Sequence, residues 1–230
     1  VNALLILGID TSGKTASSAL FDTENEVFLS YNTLYTQKTH SQVIMPMAKN
    51  MLADTGKTMS DIDLIAVADG PGSYTGLRIG VSAVKAMSFA LNCKCTGVST
   101  LKALAYNNVS FAGSICSVMK ARGELVYSCT YKSDGYQIES TSEEKILSRN
   151  ELAENLAFTG NTVLLCGDGA VDFFTDYRSS KFILASPQNR LQSACGVCLG
   201  AMGEKQISPD ELEVSYLQKV KAEKDLENNL

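Results

Sequence analysis

Two clusters of small and hydroxylated residues stand where strands should end: Asp10-Thr11-Ser12-Gly13, and Gly70-Pro71-Gly72-Ser73-Tyr74-Thr75-Gly76. A carboxylate followed by two hydroxyls could surround a nucleotide phosphate and its divalent metal. The same atoms could equally close a local Asx turn without any ligand. The second cluster follows an apolar run, Leu64-Ile65-Ala66-Val67-Ala68, and opens onto an almost wholly apolar or small stretch at 81–91, the order strand, glycine turn, buried helix. Backbone N–H groups at such a helix start have no partner within the helix and can receive an anion. Ser73 or Thr75 could instead cap them internally. A glycine inside a helix costs about 1 kcal/mol relative to alanine, so Gly76 and Gly80, one turn apart on one face, imply close approach by a phosphate or by another helix. Asp10, Thr11, Ser12, Gly70, Gly72, Ser73 and Gly76 are therefore the candidate nucleotide-binding residues, with ATP or ADP as the ligand class; no cofactor is required by the pattern.

Other reactive residue types are scarce. The single histidine, His40, would have to carry any Ser-His-Asp arrangement, and His40-Ser41 precedes a helix start where a capping serine and a partner-facing ring are the simpler expectation. Cys93-Lys94-Cys95 and Cys195-Gly196-Val197-Cys198 supply four thiols, but the second pair is flanked by glycine and alanine at helix-packing spacing, and no metal is expected. The seven cysteines, an odd number spread through apolar runs, read as reduced and buried.

The elements that must position these residues follow from periodicity. Strands are expected at 4–9, 16–21 and 26–31 as an antiparallel meander, and a helix at 40–54 from Val43, Ile44, Met47, Met51 and Leu52, closed by Thr55-Gly56. With the strand at 64–68 and the helix to 91, the order is βββαβα. That order returns: strands at 114–119, 124–131 and 136–140, a helix at 149–158, and a strand at 162–166 running into Gly167-Asp168-Gly169. The duplication predicts an α/β fold of two similar lobes facing a cleft, an N-terminal lobe over 1–108, a C-terminal lobe over 109–188, and a helix and tail over 189–230 packing back on the first lobe. A linking helix is expected within 97–108 and another at 189–205, whereas the charged run 219–230 should fray. Lys120-Ala121-Arg122-Gly123 occupies the hairpin equivalent to Asp10 to Gly13, either facing phosphates across the cleft or as a solvated tip.

Composition limits the partners. The 230 residues carry 45% hydrophobic content and a net charge of −5, with no basic run longer than Lys219-Val220-Lys221, so there is no electrostatic footprint for a nucleic-acid backbone. An RNA, if one is served, would be held by another subunit. No apolar run nears the roughly 20 residues of a membrane span, and Val1 to Leu7 leads into a strand without a basic leader, so a cytoplasmic location is expected. The methionines Met45, Met47, Met51 and Met87, with Gly76, Gly80, Ala83, Ala86 and Ala90, would serve either as core or as a surface on which helices of another chain pack closely.

Ile9-Asp10-Thr11-Ser12, His40-Ser41 followed by Pro46, the segment from Gly70 to Gly80, Gly97-Val98-Ser99-Thr100-Leu101-Lys102-Ala103-Leu104-Ala105 and Gly167-Asp168-Gly169 together resemble the bacterial TsaB family, also called YeaZ, over about residues 4–220. The resemblance implies a two-lobed actin-like, sugar-kinase-like ATPase fold of the ribonuclease H-like type. It also implies a role in making threonylcarbamoyladenosine in tRNA, as the non-catalytic scaffold of a TsaD-like catalytic subunit, with a TsaE-like ATPase joining the assembly and a homodimer when alone. It puts the dimerising surface on the helices at 40–54 and 76–91, with Met47, Met51, Gly76, Leu77, Gly80, Val84 and Met87 as the expected contact residues. A TsaD-type site takes metal through two histidines four apart on a helix; here His40 is followed at that distance by Ile44. The chain also departs from the family pattern at Lys120-Ala121-Arg122-Gly123, usually Asp-Ala-Arg-Arg, and at Val214-Ser215-Tyr216-Leu217-Gln218, usually Pro-x-Tyr-Leu-Arg. An autonomous ATPase or phosphotransferase built on Asp10 is the alternative.

Overall fold

The computed structural model describes residues 3–36 and 38–217; the charged run 219–230 lies outside them. The first sheet has the order β3-β2-β1-β4-β5, from β1 (Leu5–Asp10), β2 (Thr15–Asp22), β3 (Val27–Tyr35), β4 (Leu64–Gly70) and β5 (Lys94–Ser99). Its three leading strands are antiparallel, and β1, β4 and β5 run parallel. All six residues of β1 are buried because helices cover both faces, which is why its sequence is continuously apolar and not alternating. Leu5, Leu7 and Ile9 face α1 (His40–Asp54) and α2 (Tyr74–Leu91), whereas Ile6 faces α7 (Ala194–Ala201) with Ala66, Val197 and Cys198. Gly8 lets α7 lie against the sheet: an added Cβ would stand 2.8 Å from the Ala194 carbonyl oxygen.

The second sheet repeats the plan as β8-β7-β6-β10-β11, from β6 (Gly113–Lys120), β7 (Leu125–Ser133), β8 (Ile138–Ser140), β10 (Val163–Cys166) and β11 (Phe182–Leu184), with β9 (Lys145–Ser148) also paired to β7. Helices α4 (Arg149–Ala157) and α5 (Ala170–Asp176) accompany it. The short α3 (Thr100–Tyr106) and α6 (Pro187–Arg190) connect the lobes.

The linking helix expected within 97–108 is α3, capped by Ser99, while Gly97, Val98 and Ser99 complete β5, a strand that went unforeseen. One expectation needs correction: the helix expected over 189–205 is confined to α7, capped by Ser193, with Gln192 buried ahead of it and α6 ending at Arg190. The elements β9, α5 and β11 also went unforeseen.

Beyond α7 the chain returns to the first lobe. Ile207 bridges Cys95 at the β5 edge, and Leu212 is buried in the core with Leu5, Val81, Val84 and Met87. Leu217 then packs against a cluster built from α3 and the second sheet, including Leu101, Ile115 and Tyr131.

Candidate functional site

The structure brings the two glycine- and hydroxyl-bearing clusters into direct contact. Asp10 ends β1 fully buried; its Oδ1 accepts from the Ser12 N–H at 2.9 Å and from the Ser12 hydroxyl at 2.6 Å, the expected Asx turn, while its buried Oδ2 has no partner. Burial pushes the Asp10 carboxyl up to about 6, opposed by the Ser12 donors and by the charge of His40. The Ser73 N–H donates to the Ser12 carbonyl at 2.7 Å, and the Thr11 hydroxyl donates to the Gly76 carbonyl at 2.7 Å.

These bonds decide what the glycines are for. A Cβ on Gly72 would collide with the Ser12 carbonyl oxygen, on Gly76 with the Thr11 carbonyl oxygen, and on Gly80 with the Thr11 hydroxyl. Ser73 caps α2 by accepting from the Gly76 N–H at 3.2 Å. The close approach read from the sequence is therefore that of the chain's own first hairpin, and Gly72, Ser73 and Gly76 are engaged without a phosphate. Gly70 is likewise covered, by the Ser215 carbonyl. Of the candidate nucleotide residues, Asp10 alone keeps a buried polar atom unspent.

His40 also turns inward. Its Nδ1–H donates to the Thr11 carbonyl at 3.2 Å, so the ring supports the hairpin, and Ser41 does not cap α1, whose N-cap is Thr39. The second lobe repeats the contact: the Gly169 N–H donates to the Val118 carbonyl at 3.0 Å, and a Cβ on Gly167 would strike the same oxygen. Asp168 Oδ1 accepts from the Lys120 N–H at 3.0 Å; burial raises its carboxyl pKa while Lys120 and Lys14, on the first hairpin, lower it. The Lys120 ammonium pairs with Asp172 at 2.6 Å, and Arg122 is exposed. Among the described residues no group of three or more His, Cys, Asp or Glu could hold a metal ion, and their cysteines are all free.

The expected contact residues lie inward. Met47, Met51, Gly76, Leu77, Gly80, Val84 and Met87 are all buried, because they form the inner faces of α1 and α2 against the first sheet and, at Gly76 and Gly80, the hairpin. Met47 and Met51 are 6% and 3% exposed, against 44% for Met45 and for Tyr74. The outward faces instead form a groove of about 550 Å³ lined by Ser41, Ile44, Met45, Tyr74, Thr75, Arg78, Ile79, Ser82 and Ala83. Ala86, Phe89 and Ala90 continue it as exposed residues of α2.

Comparison with known proteins gives this architecture its relatives. The TsaB protein of Bacillus subtilis, a tRNA threonylcarbamoyladenosine biosynthesis protein, is 35% identical over 164 residues, covering 71% of each chain. The chain belongs to the TsaB family. The TsaB protein of Escherichia coli is 30% identical over 64% of this chain and 63% of its own. Residues 33–175 match the family model described as TsaD, tRNA N6-adenosine threonylcarbamoyltransferase. YeaZ from Pseudomonas aeruginosa superposes with a TM-score of 0.79 at 23% identity, covering 94% of this chain and all of that one. The fold is thus the one shared with YeaZ, two lobes each built on a mixed sheet, and no described helix is long and apolar enough to cross a membrane. In this TsaB-family chain Met45 and Ala83 were already in the set read as core or packing surface, whereas the outward residues Tyr74, Arg78, Ile79 and Ser82 escaped sequence reasoning. The signal was present, since they are the complement of the inward set on the same helical wheel.

Proposed function

We propose that this chain is a scaffold subunit in tRNA threonylcarbamoyladenosine synthesis, holding a TsaD-like catalytic subunit on the outer faces of α1 and α2. The single observation that carries this reading is the exposed apolar groove between those helices in a member of the TsaB family. Its floor of Ser82 and Ala83, continued by Ala86 and Ala90, keeps side-chain bulk low enough for a second pair of helices to approach closely. The same groove, left bare, would pair two copies of the chain, and a TsaE-like ATPase would join the heterodimer. The tRNA would be held elsewhere in the assembly, in keeping with the net charge of −5. The single histidine cannot supply the paired imidazoles of a TsaD-type metal site, which supports a role without its own catalysis.

Ala83→Arg and Met45→Glu place charge in the groove without touching the core. Co-purification with the catalytic subunit should be lost in both while the isolated chain melts as before; an undiminished heterodimer would defeat the reading. Gly80→Arg and Val84→Asp are unsuitable, because both positions are buried and would unfold the lobe.

The alternative, an autonomous ATPase or phosphotransferase, draws on the buried, unpartnered Oδ2 of Asp10. ATP or ADP would then lie between the two hairpins, with Asp10 turned to a metal-bound phosphate. Calorimetric titration of the isolated chain with ATP and magnesium, and turnover lost in Asp10→Asn, would favour it.

A further inference from the structure

The segment 212–217 crosses from the first lobe to the second over the N-terminal turn of α2. Leu212 anchors it in the first core, and its carbonyl accepts from the Lys85 ammonium at 3.0 Å. The Ser215 N–H donates to the Asp69 carbonyl at 2.9 Å, and the Ser215 carbonyl lies against Gly70, so the backbone of the segment is fixed to the end of β4. Leu217 closes onto the second lobe. Between these anchors Tyr216 stacks on Tyr74, ring centroids 5.6 Å apart and planes 27° from parallel, and accepts a hydrogen bond from Arg78 Nε at 3.1 Å. Arg78 in turn sits 4.0 Å from the centre of the Tyr74 ring.

Tyr74 and Arg78 line the groove between α1 and α2. We propose that the segment 212–217 is the third element of the docking surface, and that Tyr216 positions Tyr74 and Arg78 for the catalytic subunit. The inference rests on the docking reading above and extends it to a part of the chain 138 residues away from Arg78 in sequence. Two long exposed side chains at the mouth of a groove would each lose rotamer freedom when a partner arrives; a stacked and hydrogen-bonded pair has already lost it. Arg78 is the one charged residue lining the groove among the described residues, and Tyr216 engages only its Nε, leaving the terminal nitrogens for a partner. The surface therefore fits an apolar pair of helices carrying a carboxylate at the Arg78 end.

The test is calorimetric titration of the full chain with the catalytic subunit, comparing wild type, Tyr216→Ala, Tyr216→Phe and Ala83→Arg, with melting curves of each isolated chain. Tyr216→Ala should weaken binding about tenfold at an unchanged melting temperature. Tyr216→Phe keeps the stack but not the bond to Arg78, and should weaken binding about threefold with a shallower salt dependence. Wild-type affinity in Tyr216→Ala alongside loss of binding in Ala83→Arg overturns the proposal and leaves the groove standing. Wild-type affinity in Ala83→Arg removes the docking reading and the proposal with it. Should Tyr216→Ala melt early, Tyr216→Phe decides, and unchanged affinity and salt dependence in it refute the role of Tyr216.

Discussion

The Thr11 hydroxyl donates to the Gly76 carbonyl at 2.7 Å, tying the tip of the first hairpin to the first turn of α2. Residues 65 apart in sequence are thereby joined side chain to backbone, and the glycines of α2 give the hairpin room to approach. Gly76→Ala should cost about 3 kcal/mol, because the new Cβ meets a backbone oxygen that cannot rotate away. Urea unfolding of the variant reads this directly, and a loss below about 1 kcal/mol would show the hairpin moving aside at little cost.

Ser73→Ala tests the cap separately from the crowding. It removes the acceptor for the Gly76 N–H while leaving the Ser73 N–H bonded to the Ser12 carbonyl. A loss of about 1 kcal/mol is expected in the same unfolding measurement.

Acidity sets a further expectation. Burial raises the Asp69 carboxyl to about 7, helped by Glu144 and Glu204, and raises Asp10 to about 6, both from 3.8. Between about pH 4 and pH 7 the native chain then binds more protons than the unfolded one, so stability falls as pH rises through that window. At lower pH the lowered carboxyls of Asp61, Asp134 and Glu151, each held by N–H donors, act in the opposite sense. Maximum stability is expected near pH 4, and Asp69→Asn should gain about 2 kcal/mol over wild type at pH 8 and little at pH 4. Melting temperatures across pH 4 to 9 check both statements.

Leu212→Ala should cost about 3 kcal/mol, as for any fully buried leucine, although it lies in a segment without helix or strand. A cost within error of zero would mean that the return of the chain to the first lobe adds nothing to its core.

Much of this was legible before any coordinates. Helix α1 spans the residues its periodicity marks, because Val43, Ile44, Met47, Met51 and Leu52 fall on one face and Thr55-Gly56 ends it. The duplicated strand order was likewise written in apolar runs and turns. The strand at 94–99 was not, because Gly97 breaks its pattern and its place is set by parallel pairing with β4, more than 25 residues earlier. The three residues of β11 are too few to show any period. The reading of Met47, Met51, Gly80 and Val84 as outward failed for another reason. Helix α2 is apolar or small on both faces, and periodicity finds two faces without telling which one meets the sheet.

The polypeptide passes between the lobes three times: through α3, through the stretch ahead of α7, and through the segment that ends at Leu217. A single protease nick in either of the first two passages would leave the halves still joined covalently by the other, so neither lobe is a separable module.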